Sequence, residues 1–157
     1  MKISDYLKKE FCIMSLKATT KEGAIREIAS CLTNNGKICD KESFINEILK
    51  REVLGSTGIG HKVAIPHART EVVNGFAIGF GRSLGGIDFN ALDGEKVNLI
   101  FVMGANPQEL NLYLRLLAEL SKLLMENSFR RELLVVKTAE EVIELIRKFE
   151  TEGSSKK

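Results

Sequence analysis

Residues 51–69 read Arg51-Glu52-Val53-Leu54-Gly55-Ser56-Thr57-Gly58-Ile59-Gly60-His61-Lys62-Val63-Ala64-Ile65-Pro66-His67-Ala68-Arg69, and their types can handle a phosphoryl group. A neutral imidazole nitrogen is a good nucleophile near neutral pH, because the ordinary histidine pKa is about 6.5. His67 can attack phosphorus, hold the group and release it to a second acceptor. Its other ring nitrogen needs a fixed partner, or the ring presents the wrong tautomer. The remaining requirement is positioning and charge. Backbone N–H groups of a Gly-rich stretch approach an anion closely. Ser56 and Thr57 add hydroxyl donors, and Arg51 and Arg69 supply forked cationic donors. Pro66 stiffens the backbone just before His67.

Other chemistries find less support. The stretch Gly55–Gly60 lacks the G-K-[ST] ending of a P-loop and the strand-linked G-x-G-x-x-G of a dinucleotide site. No G-x-S-x-G elbow or paired acid motif points to a hydrolase. The histidines are only His61 and His67, with no nearby ligand cluster to complete a metal site, so neither metal nor cofactor is expected. His61 reads as an exposed loop residue. Cys12, Cys31 and Cys39 are an odd set without C-x-x-C spacing, which argues against a disulfide framework; Cys31 fits a small core position.

The elements that must position these groups follow from periodicity. A short strand or packed arm is predicted at Phe11–Met14. A T-x-x-E box from Thr19 to Glu22 opens a helix through Ala24, Ile25, Ile28, Ala29 and Leu32, stopped by Asn34-Asn35-Gly36. Asp40 caps the next helix, whose stripe is Phe44, Ile45, Ile48 and Leu49. Residues 55–60 read as a polar loop, and Val63–Ile65 as a short strand that Pro66 ends. Gly75–Arg82 alternates as a strand, and Val97–Met103 is apolar enough to be central. Asn106-Pro107 starts a long helix with Leu110, Leu114, Leu117, Leu120, Ser121 and Leu124 on its buried side. Ser128 is read as capping a further helix, Val135-Val136 as a possible brief strand, and Thr138 with Glu141 as a box opening the last helix. Interspersed strands and helices predict an α/β fold: one domain over residues 1–150, a mixed β-sheet sandwiched between helices, and a disordered tail at 151–157. With 157 residues and 44% hydrophobic content, there is material for one core. Twenty-three basic and 21 acidic residues give a net charge of +2, too balanced for a nucleic-acid footprint. No membrane-length apolar run or secretory h-region is present, so a cytoplasmic protein without membrane insertion is expected.

The string from Arg51 to Arg69 resembles the active-site region of the fructose/mannitol-type EIIA domains of the phosphoenolpyruvate-dependent sugar phosphotransferase system, most of all their nitrogen-regulatory branch. The resemblance extends to Leu114–Leu120 and to the closing helix after Thr138. It implies that His67 is the phosphorylated histidine and that Arg51 is the arginine beside it. It also implies an HPr-type phosphocarrier as donor and either an EIIB domain or a regulatory target as partner. There are two departures. Where the family usually carries a second histidine, this chain has Tyr113, which cannot exchange a proton near pH 7 or become a cation. Ala68 stands where glycine is common. Two functions therefore follow from the resemblance: phosphotransfer through His67, with Tyr113 as a stand-in, or regulatory binding with transfer weakened or lost.

Overall fold

The structure, a computed structural model, describes residues 2–155, with side chains through residue 152. In chain order the elements are β1 (Cys12–Ile13), α1 (Lys21–Asn34), α2 (Lys41–Leu54), β2 (Gly58–Gly60), β3 (Val63–Ala64), β4 (His67–Arg69), β5 (Phe76–Ile87), β6 (Val97–Ala105), α3 (Leu110–Leu124), α4 (Asn127–Val135) and α5 (Ala139–Ser155). The tail expected at 151–157 overlaps the last turns of α5; the side chains of 153–155, and positions 156 and 157 entirely, lie outside the described residues.

The fold is the expected single α/β domain with a mixed sheet. Strand order is β1-β5-β6-β3-β2, with β4 also paired to β6. Strands β5 and β6 form an antiparallel pair, whereas β3 and β4 both run parallel to β6. Along β6 only Asn98 is less than buried, so both faces of the central strand are covered, as its continuous apolar run requires. Helix α1 packs on β5, α2 on β4, and α3 and α4 on β6. At one point the packing depends on a missing side chain. A Cβ on Gly104 would fall 2.6 Å from Phe44 Cε1, so glycine lets α2 lie close against β6. That approach brings the C-terminal turn of α2, with Arg51, alongside β4, with His67.

Several local readings shift by a residue or a face. The α1 cap is Thr20, not Thr19: the Thr20 hydroxyl accepts the Gly23 N–H at 3.1 Å. Adjacent threonines offer equivalent caps in sequence, and the helix start selects one. Asp40 caps α2 as expected, accepting from Ser43 N–H at 3.1 Å, a contact worth about 1 kcal/mol. Asn106 accepts from Gln108 N–H at 3.1 Å, and a 3-10 turn, Pro107–Glu109, precedes α3. Ser128 lies inside α4, which begins at Asn127 after Glu126, and Val135 ends that helix instead of forming a strand. Thr138 accepts from Glu141 N–H at 3.2 Å at the start of α5. The expected polar loop at 55–60 contains edge strand β2, antiparallel to β3.

The largest change of face is in α3. Its buried residues are Tyr113, Leu116, Leu120, Leu123 and Leu124, while Leu110 and Leu114 are 39% and 53% exposed. Leucine fills so many positions of this helix that its pattern does not set the phase. The 3- and 4-residue steps from Tyr113 do, and they turn that side chain inward.

Candidate functional site

The site is built where the sheet ladder is interrupted. Strand β3 pairs with β6 as far as Ala64↔Ile100, and β4 resumes the same parallel pairing at His67↔Met103. Between them lie Ile65 and Pro66, and proline has no N–H to give to a ladder. Across this gap His67 Nδ1 sits 2.7 Å from the Ile65 carbonyl oxygen. A carbonyl only accepts, so Nδ1 carries the hydrogen and Nε2 keeps the lone pair. The tautomer question raised by the sequence therefore has a structural answer.

His67 is half-buried and lines a surface cleft together with Arg51, Arg69 and Tyr113, with Glu47 and Lys50 of α2 on its rim. Burial pushes the imidazole pKa below its ordinary value. The hydrogen bond to Ile65 works against that shift, the Arg51 charge reinforces it, and Glu52 opposes it. The net effect favours the neutral, nucleophilic ring at neutral pH. The His67 and Tyr113 ring centroids are 6.1 Å apart and the rings are tilted by 53°. Burial pushes the Tyr113 phenol pKa up, against the pull of Arg69 and Arg51, so it stays a neutral hydroxyl. Arg51 donates through Nη1 to the Gly55 carbonyl at 2.9 Å. Among the described residues neither Arg51 nor Arg69 forms an ion pair; the four salt bridges involve Lys21, Arg26 and Lys50. Two arginines without a carboxylate, beside an imidazole lone pair, form a setting for an anion.

Ser56 and Thr57 are placed differently. The Ser56 hydroxyl donates to the Phe89 carbonyl in a short contact and accepts from Gly58 N–H at 3.0 Å. The Thr57 hydroxyl donates in a short contact to Glu52 Oε1, and Thr57 N–H reaches Glu52 Oε2 at 3.3 Å. Neither residue lines the cleft. His61 is exposed, in a left-handed turn conformation with φ 54°, and its N–H donates to Asp93 Oδ2 at 3.0 Å. It too is absent from the cleft. Among the described residues no group of three or more His, Cys, Asp or Glu could hold a metal ion, and no helix is long and apolar enough to cross a membrane.

The sequence reading missed Glu52. Its side chain is 5% exposed and is paired with Lys21 Nζ at 2.9 Å. Its position before a hydroxyl five residues on was a weak local signal; the lysine that completes the arrangement lies at the start of α1.

A sequence profile described as "Phosphoenolpyruvate-dependent sugar phosphotransferase system, EIIA 2" matches residues 5–149. The chain belongs to this family. The fructose-specific EIIABC component of Bacillus subtilis (strain 168) is 38% identical to this EIIA chain over 146 residues, which cover 93% of the chain and 23% of that protein. The fructose-specific EIIA component of Haloferax volcanii is 32% identical over 127 residues, covering 81% of the chain and 82% of that protein. Among solved structures, the nitrogen regulatory protein IIA-Ntr from Neisseria meningitidis superposes with a TM-score of 0.85 at 28% identity, over 92% of this EIIA chain and 98% of that one. Sugar-specific and nitrogen-regulatory proteins are thus both among the relatives this chain is similar to.

Proposed function

We propose that this EIIA domain is a phosphoryl carrier: His67 takes a phosphoryl group from an HPr-type phosphocarrier and yields it to an EIIB partner or keeps it as a regulatory signal. The observation that carries this reading is the His67 Nδ1–H held at 2.7 Å by the Ile65 carbonyl, which leaves the Nε2 lone pair on a ring lining the cleft. In the forward step the Nε2 lone pair forms a bond to phosphorus as the donor's own bond to phosphorus breaks, and the donor retains that electron pair. His67 needs to lose no proton, because the hydrogen stays on Nδ1, which donates it to the Ile65 carbonyl. The positive charge that develops on the phosphorylated ring is supported by that carbonyl. Arg51 and Arg69 offset the charge of the phosphoryl oxygens. Ser56 and Thr57 serve the transfer by bracing the loop behind Arg51. The Bacillus relative, an EIIABC component, supports an EIIB partner. A cytoplasmic location is part of the same proposal.

Tyr113 favours a second form of this function. A neutral phenol beside His67 can donate one hydrogen bond, but it cannot add a second positive charge as the group departs. Release is then slow and the phosphohistidine long-lived, which suits a protein whose phosphorylation state gates binding to a regulatory target.

Incubation with a phosphorylated HPr-type carrier tests the reading. The expected result is a mass gain of one phosphoryl group, acid-labile and base-stable. Absence of label, or label that survives His67→Ala, would refute it. A pull-down comparing wild type, His67→Ala and His67→Asp tests the regulatory form, and identical partner sets for all three would count against gated binding.

A further inference from the structure

Behind His67 runs an unbroken series of hydrogen bonds that ends on a buried carboxylate. His67 Nδ1–H donates to the Ile65 carbonyl at 2.7 Å. Ile65 N–H donates to the Thr57 carbonyl at 3.0 Å. Thr57 N–H and hydroxyl both donate to Glu52, whose Oε2 also accepts from Lys21 Nζ at 2.9 Å. Lys21 in turn lies over the Phe89 ring, 5.2 Å from its centroid, and the Phe89 carbonyl accepts from Ser56. The first residue of α1, the last turn of α2, the loop before β2 and the break before β4 are thus tied together through one carboxylate.

We propose that Glu52 is the positioning residue for His67: through Thr57 and Ile65 it fixes the carbonyl that selects the Nδ1–H tautomer and leaves Nε2 as the nucleophile. A plain brace would not call for a charge here, since burying a carboxylate carries a desolvation cost that neutral side chains avoid. A charge does two things that a neutral brace does not. It accepts two hydrogen bonds from Thr57 and one from Lys21 at once, which holds Thr57 on both its N–H and its hydroxyl. It also places negative potential near the imidazole, against the effect of burial and of Arg51. The charged and titratable groups facing the ring are Arg51, Glu52, Glu47 and Lys50 from α2, Arg69 from β4 and Tyr113 from α3.

The rate consequence rests on His67 being the phosphoryl acceptor, whereas the tautomer does not, so the test reads both. Imidazole nitrogen NMR on Glu52→Gln, with no phosphoryl donor present, should show loss of the single Nδ1–H tautomer and a downward move of the protonation midpoint. Phosphoryl uptake should slow by on the order of 10- to 100-fold, the usual effect of a misplaced reacting group. Thr57→Val should move both NMR readouts in the same direction by less, and Thr57→Ser should restore them. If Glu52→Gln fails to fold, Thr57→Val decides. Folded variants with wild-type tautomer signals and midpoint would overturn the proposal and leave Glu52 a structural brace. A wild-type protein that takes up no phosphoryl group would sink the carrier reading alone, with the NMR comparison still deciding the role of Glu52.

Discussion

The stretch Gly55–Gly60 and the strand His67–Arg69 are close neighbours in sequence, and both carry groups suited to an anion. In the first, the donors are turned inward. Ser56 is bound to Phe89 and Thr57 to Glu52, while Gly58 N–H closes on the Ser56 hydroxyl. Around the second, the side chains keep unused capacity. His67 has a free Nε2, and Arg51 and Arg69 have no carboxylate partner among the described residues. Donors satisfied within the protein make a frame stiff; positive charge left unneutralised in a cleft marks where negative charge from outside is accommodated. Under the proposed function, one region positions and the other reacts.

The sharpest break between the two regions comes from His67→Ala, which should abolish phosphoryl uptake while leaving the folded protein intact, as seen by labelling beside a thermal melt. Next is Arg51→Met. It removes a forked cation from the cleft and should slow uptake by about 100-fold, the cost of one lost transition-state donor. Losing its bond to Gly55 should lower stability by only about 1 kcal/mol. If stability falls further and uptake does not change, Arg51 belongs with the frame.

Tyr113→His should produce a gain. A second imidazole within ring contact of His67 can become a cation as the phosphoryl group leaves, and should raise the release rate by about 10-fold, less than full general acid catalysis delivers. Quench-flow transfer to an EIIB acceptor and the phosphohistidine half-life would show it. Unchanged values would mean that residue 113 does not tune the group it faces.

The reactive region was more legible in sequence than the frame. His67, Arg51 and Arg69 stand in one short segment, and Tyr113 was reached by comparison with a family pattern. Alternation located the first part of β5, a continuous apolar run located β6, and Asp40 located the start of α2, because burial and capping leave local marks. The frame leaves few such marks. Glu52 is defined by Lys21 and Thr57, and the pairing with Lys21 exists only once α1 and α2 are packed together. Ser56 looked available because a hydroxyl in a Gly-rich loop carries no sign of the Phe89 carbonyl that claims it. The face of α3 was misread for a related reason: its leucines offer several stripes, and contact with the rest of the fold chooses the one containing Tyr113.

Ser56→Ala tests the frame directly. It deletes two hydrogen bonds and leaves the Phe89 carbonyl and Gly58 N–H without that partner, so stability should fall by about 1–2 kcal/mol in chemical denaturation. Uptake should stay within about two-fold of wild type, far from the roughly 100-fold loss expected of a direct phosphoryl ligand. A loss as large as that of Arg51→Met would move Ser56 into the reactive region.

The smallest expected effect is a pH dependence that only the reactive region should carry. Burial, reinforced by Arg51, holds the His67 pKa below its ordinary value in the folded protein. In the unfolded chain the ring titrates at about 6.5, so on acidification the unfolded state takes up the proton first. The contribution of His67 to stability is therefore fully present above that pH. It declines as pH falls toward the folded value, and stops changing below it. His67→Gln should flatten this part of the stability profile, measured by denaturant midpoint against pH, while Ser56→Ala should lower the whole curve and keep its slope. A slope that survives His67→Gln would assign the linkage to another group and remove protonation as a distinction between the cleft and its frame.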